Sequence, residues 1–160
     1  MRRRPSHGNL AQVRETPMST IEVGAQIPAV EKSISQEMIN AWADVSGDTN
    51  PLHVDVEYAK TSRFGGTIAH GHISLGFLCE AMVRWLGPAW HSRGALRGVK
   101  FVAPIRPGYI VRTQGSVVDV VDDDGDRVAH CDISVIDAGT GETCVVGAAT
   151  YRLADLHEAP

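Results

Sequence analysis

The sequence predicts an α+β domain in which a curved antiparallel β-sheet wraps one central helix, and three observations carry that prediction. The stretch HGHISLGFLCEAMVRWLG, residues 70–87, is apolar almost all the way round a helical wheel, so the helix it forms has to be buried. Four β-rich runs follow it, separated by the turn signals RPG, DDDG and AGTG. In the third run Ala129, Cys131, Ile133 and Val135 share one face, while His130, Asp132 and Ser134 share the other. That strand is half buried, and its apolar face needs a cover. A buried helix ahead of such strands supplies one.

The elements follow in order. Residues 1–19 are Arg-rich with almost no apolar periodicity, and are expected to form a flexible N-terminal tail. No repeat or low-complexity linker divides the rest, so residues 20–155 read as a single domain and 156–160 as a C-terminal tail. TIEVGAQIPAVEKSIS mixes β-branched residues with Gly and Pro, consistent with a leading strand or extended arm. Met38, Ile39, Trp42 and Val45 then fall at helical spacing, with Ser35 as N-cap and Gly47 as stop. From Pro51 to Thr67 the pattern is irregular, and RFGG marks a loop. In the buried helix His72, Gly76, Glu80 and Arg84 make one thin polar stripe, and Glu80 to Arg84 has the order that favours an i,i+4 ion pair. The runs ALRGVKFVAPI, YIVRTQGSVVDVV, DRVAHCDISVID and ETCVVGAATYRL complete an antiparallel meander. A helix held in the hollow of such a sheet is the hotdog architecture.

Composition excludes several functions. A formal net charge of −4 and 6% aromatic residues supply neither a basic field nor a stacking surface, so no nucleic-acid partner is expected. The longest apolar stretch, Ile73 to Leu86, contains Glu80 and Arg84 and is too short to span a bilayer. A soluble protein without a membrane partner is expected. Cys79, Cys131 and Cys144 are odd in number and widely spaced, which points to reduced thiols and a cytoplasmic setting.

SGDTNPLH, residues 46–53, concentrates proton-handling groups where a helix ends. Ser, Asp, Asn and Gly are ordinary turn formers, and Pro51 stiffens the bend. Asp48 and His53 could nonetheless hold one water between them. Gly71 opens the buried helix, so its N–H is one of the orphan donors of the first turn, at the positive end of the dipole. The bend lacks the alternating acids and distal Glu of a Ca²⁺ loop. His70 and His72 have no third ligand nearby in sequence, so capping and packing are expected of them. Cys79 lies in the apolar helix and reads as core.

Three segments together resemble the MaoC-like dehydratases and (R)-specific enoyl-CoA hydratases. Ser46-Gly47-Asp48-Thr49-Asn50-Pro51-Leu52-His53 is similar to their hydratase signature, FGGTIAHGHISLG to their loop and His-Gly helix start, and FVAPIRPGYIV to their Phe-x-x-Pro-x-x-Pro-Gly turn. The chain departs at Tyr109, where the family commonly has an acid, and at His72, where it often has Met. The resemblance implies a hotdog fold and reversible hydration of a trans-2-enoyl thioester, with no metal or redox cofactor. Asp48 and His53 would be catalytic, Gly71 the oxyanion hole, and Asn50, Ser46 and His70 supporting residues. The substrate would be an acyl-CoA or acyl carrier protein thioester, and the assembly a homodimer or a higher even oligomer. Arg63, Arg97, Lys100 and Arg106 are candidates for coenzyme A phosphates. The rival readings are a non-catalytic hotdog subunit that binds acyl thioesters and a hotdog thioesterase.

Overall fold

The structure, a computed structural model, describes residues 21–123 and 125–153. The expected tails, 1–19 and 156–160, and the extreme ends of the expected domain lie outside the described residues.

The element order is β1 (Glu31–Ser33), α1 (Gln36–Ser46), α2 (Pro51–Val54), α3 (Val56–Thr61), α4 (Gly71–Leu86), α5 (Trp90–Arg93), β2 (Gly94–Phe101), β3 (Ile110–Asp123), β4 (Asp126–Asp137) and β5 (Thr143–Arg152). Local chemistry sets the ends of α1: Ser35 Oγ accepts from Met38 N–H, and Gly47 closes the helix in the left-handed region at φ 75°. Residues 51–67, read from sequence as irregular, contain α2 and α3 instead. Asn50 caps the first, with Pro51 in its opening turn, and Asp55 caps the second by accepting from Glu57 and Tyr58 N–H. Helices of four and six residues are too short to display a period.

The five strands form one antiparallel sheet in the order β1-β3-β4-β5-β2. The meander holds for β3, β4 and β5. It fails for β2, which pairs with β5 from Gly94↔Tyr151 to Phe101↔Val145 and lies at the far edge. The RPG turn therefore joins strands that are not neighbours. Pro104 and Pro107 remove two backbone donors there, and a hairpin ladder cannot run through them. The segment instead passes the start of α4, where Ala69 N–H donates to Ile105 O at 2.8 Å.

Ile73, Leu78, Met82 and Trp85 of α4 share one core with Val117, Cys131, Ile133, Val135 and Val145 of the sheet. The side chains expected on the inner face of β4 are all buried. Register shifts after Val117 in β3 and after Arg97 in β2 bend the strands around the helix. On the polar stripe Glu80 pairs with Arg84 at 2.6 Å and with Lys32 at 2.9 Å. Among the described residues no helix is long and apolar enough to cross a membrane.

Candidate active site

The bend after α1 is shaped by its own short side chains. Ser46 Oγ accepts from Asp48 N–H at 3.2 Å, Asp48 Oδ1 from Asn50 N–H at 3.3 Å, and Asn50 Oδ1 from Leu52 N–H at 3.0 Å. Ser46 and Asn50 thus act on the main chain. Asn50 starts the short helix that carries His53, and its side chain does not bond the His53 ring. The Asp48 carboxylate stays half exposed.

Two main-chain carbonyls decide how the imidazoles are protonated. His53 Nδ1 lies 2.8 Å from Ile68 O, and a carbonyl only accepts, so Nδ1 carries the hydrogen. In neutral His53 the Nε2 lone pair is therefore free. His70 Nε2, by the same reasoning, donates to Asp48 O at 2.9 Å. His70 stands at the N-cap position of α4 without capping it, contrary to the capping expected from sequence, because its ring is committed to the Asp48 loop. The His70 and His53 rings stack with centroids 3.9 Å apart. His70 is 1% exposed, and its Nδ1 has no partner among the described residues.

One carboxylate oxygen of Asp48 and one ring nitrogen from each of His53 and His70 lie within 4.8 Å of one another. Two hydrogen bonds of about 2.8 Å through a single water span such a gap. The same three groups are also close enough to offer one ligand atom each to a cation, each imidazole being anchored through its other nitrogen on a carbonyl.

These groups border a cavity of about 340 Å³ that also takes in Gly71, Ser74, Leu75, Phe101, Ile105 and Val145. The wall is mostly apolar. Gly71 is the first residue of α4, and a Cβ placed on it would come within 2.7 Å of Phe101 Cζ. A side chain here would have to push the Phe101 ring aside. His72 stacks beside Trp42 with centroids 6.3 Å apart. Arg63 lies over the Phe64 ring, Arg97 and Lys100 sit on β2, and none of the four candidate phosphate-binding cations lines this cavity.

Sequence reasoning missed Phe101, Ile68, Gln36 and Thr67. Gln36 Nε2 donates to His53 O at 2.8 Å, and its Oε1 accepts from Thr67 Oγ1 at 2.6 Å. No spacing rule joins residues so far apart.

A profile of the MaoC like domain matches residues 19–138. The chain belongs to the MaoC-like domain family. Among its relatives are an (R)-specific enoyl-CoA hydratase of Rhodospirillum rubrum, 37% identical over 60% of this chain and 66% of that one, and a 3-hydroxyacyl-thioester dehydratase Z of Mycobacterium tuberculosis, 39% identical over 56% and 62%. The matches thus span just under two thirds of the length of these relatives. Among solved structures, the unliganded R-hydratase PhaJ1 from Pseudomonas aeruginosa superposes with a TM-score of 0.70 and 27% identity, covering 90% of this chain and 93% of that one. The MaoC-like dehydratase from Rhodospirillum rubrum, with a TM-score of 0.73 and 22% identity over 84% of this chain and 94% of that one, shares the fold. The expected hotdog architecture is the observed one.

Proposed function

We propose that this MaoC-like chain interconverts a trans-2-enoyl thioester and the corresponding (R)-3-hydroxyacyl thioester by adding or removing water. One observation carries the reading: the Asp48 carboxylate and the His53 ring border a single cavity at the N-terminus of α4, a water's width apart. In the hydration direction Asp48 takes a proton from the water as its oxygen bonds to C3, while His53 Nε2 accepts the other O–H and fixes the line of attack. Negative charge develops on the thioester oxygen, which faces the Gly71 N–H and the positive end of α4. The proton held by the Asp48–His53 pair then passes to C2. Dehydration reverses these steps, and neither direction needs an electron acceptor.

The substrate is a coenzyme A or carrier-protein thioester; the relatives are named for an enoyl-CoA and a 3-hydroxyacyl thioester. A second copy of the chain is expected at the open edge of β2, where Phe101 and Val102 are more than half exposed. The three free cysteines fit a reducing, cytoplasmic setting.

The test follows the loss of enoyl-thioester absorbance with crotonyl-CoA, extended to a panel of longer, branched and carrier-protein substrates. Wild-type protein should form the (R)-3-hydroxy product, and folded Asp48→Asn and His53→Ala variants should lose about 10²–10⁴ of the rate. Thiol release in place of hydration would mean a thioesterase. Inactivity across the whole panel would mean a non-catalytic subunit.

A further inference from the structure

We infer that Gln36, at the start of α1, is the positioning residue that fixes the tautomer and aim of His53, acting together with Thr67. The inference rests on the hydratase reading for its kinetic consequence only.

The Gln36 side-chain amide is fully engaged. Its Nε2 donates to His53 O at 2.8 Å and to Asn40 Oδ1 at 2.9 Å, and its Oε1 accepts from Thr67 Oγ1 at 2.6 Å. The orientation of the amide is not arbitrary. Rotating it by half a turn would set two oxygens against each other at His53, since a main-chain carbonyl cannot donate. Thr67 is buried, so loss of this acceptor is costly to its hydroxyl.

The consequence reaches the ring one residue away. Gln36 ties the main chain of His53 to Thr67, and the carbonyl of the next residue, Ile68, accepts from His53 Nδ1 at 2.8 Å. Between these two segments Ile68 N also donates to Leu52 O over a long 3.4 Å, and His70 Nε2 donates to Asp48 O at 2.9 Å. The short helix carrying His53 and the run before α4 are thus clamped by the Gln36 amide beside the Nδ1 contact itself. Without it the Nδ1 contact loosens, and the imidazole is free to adopt the Nε2-protonated tautomer that isolated histidine prefers. That tautomer has no lone pair facing the water. Gln36 does not line the cavity, and its effect passes through His53.

The experiment compares wild-type protein with Gln36→Ala, Thr67→Val and Thr67→Ser. Two readouts are taken: the ¹⁵N chemical shifts of the His53 ring, and kcat and KM for the hydratase reaction. Gln36→Ala and Thr67→Val should move His53 from the Nδ1-protonated toward the Nε2-protonated form. They should lower kcat on the order of 10- to 100-fold, as expected for a catalytic group slightly misplaced, with KM within about twofold. Thr67→Ser keeps the hydroxyl and should behave as wild type. Should Gln36→Ala fail to fold, the Val and Ser variants at position 67 decide alone. Folded variants with an unchanged His53 tautomer overturn the inference, even if kcat falls. A tautomer shift in a protein that hydrates no enoyl thioester upholds the positioning role and overturns the proposed function instead.

Discussion

The rings of His53 and His70 lie 3.9 Å apart, centroid to centroid, and tilt by 30°, yet each sends its N–H to a carbonyl on a different segment of the chain. His53 is held by Ile68 and His70 by Asp48. The two imidazoles thereby tie the bend after α1 to the start of α4, and the cavity opens between those segments. A histidine that sequence left as a supporting residue is the floor on which the other rests.

His70→Phe should separate architecture from chemistry. Phenylalanine keeps an aromatic ring against His53 and removes the buried, unpartnered Nδ1, which offsets the loss of the hydrogen bond to Asp48 O. Stability should change by about 1 kcal/mol or less, while kcat falls because the Asp48 loop has lost its anchor. His70→Ala should cost about 2–4 kcal/mol through the cavity it leaves. Urea midpoints measure both, and equal destabilisation by the two substitutions would contradict this account.

Gly71→Ala places a methyl group 2.7–2.8 Å from two carbons of the Phe101 ring. Phe101 is more than half exposed and its ring can shift aside, so the cost should stay near the low end of overpacking, about 1 kcal/mol. Because the obstacle is one side chain, the effect should vanish when Phe101 is already alanine. A double-mutant cycle with Phe101→Ala checks this, and simple additivity would show that the ring is not what excludes a side chain at position 71.

The buried thiols set an alkaline limit on stability. Burial pushes the Cys131 thiol up to about 11, with the nearby Asp132 carboxylate adding to it, and burial also raises that of Cys144. Between about pH 9 and 11 the unfolded chain loses the Cys131 proton while the folded chain keeps it, and Cys144 acts in the same direction. The unfolded state then binds fewer protons, so stability falls as pH rises through that window, and it is unaffected by these groups below it. Urea unfolding at pH 8, 9 and 10 should show a progressive loss that Cys131→Ala reduces. In the native state at pH 8, Cys131 and Cys144 should resist iodoacetamide.

The extent to which the sequence determined this protein follows from the range of each interaction. Ser35 and Gly47 bound α1 because capping and a left-handed stop are chemistry between near neighbours. The apolar girth of residues 71–86 dictates a buried helix, and the alternation in β4 dictates a half-buried strand, since both periods are written along the chain. Ser46, Asp48 and Asn50 make their bend through hydrogen bonds to residues two positions on. All of that was legible. Tertiary structure alone decided that β2 leaves its neighbour in sequence to pair with β5, a choice between edges that no local signal encodes. It alone brought Ile68 to His53 across 15 positions, Asp48 to His70 across 22 and Thr67 to Gln36 across 31. Sequence nominates the groups that can move a proton. Which nitrogen carries that proton is settled by carbonyls and amides that only the folded chain places within 3 Å.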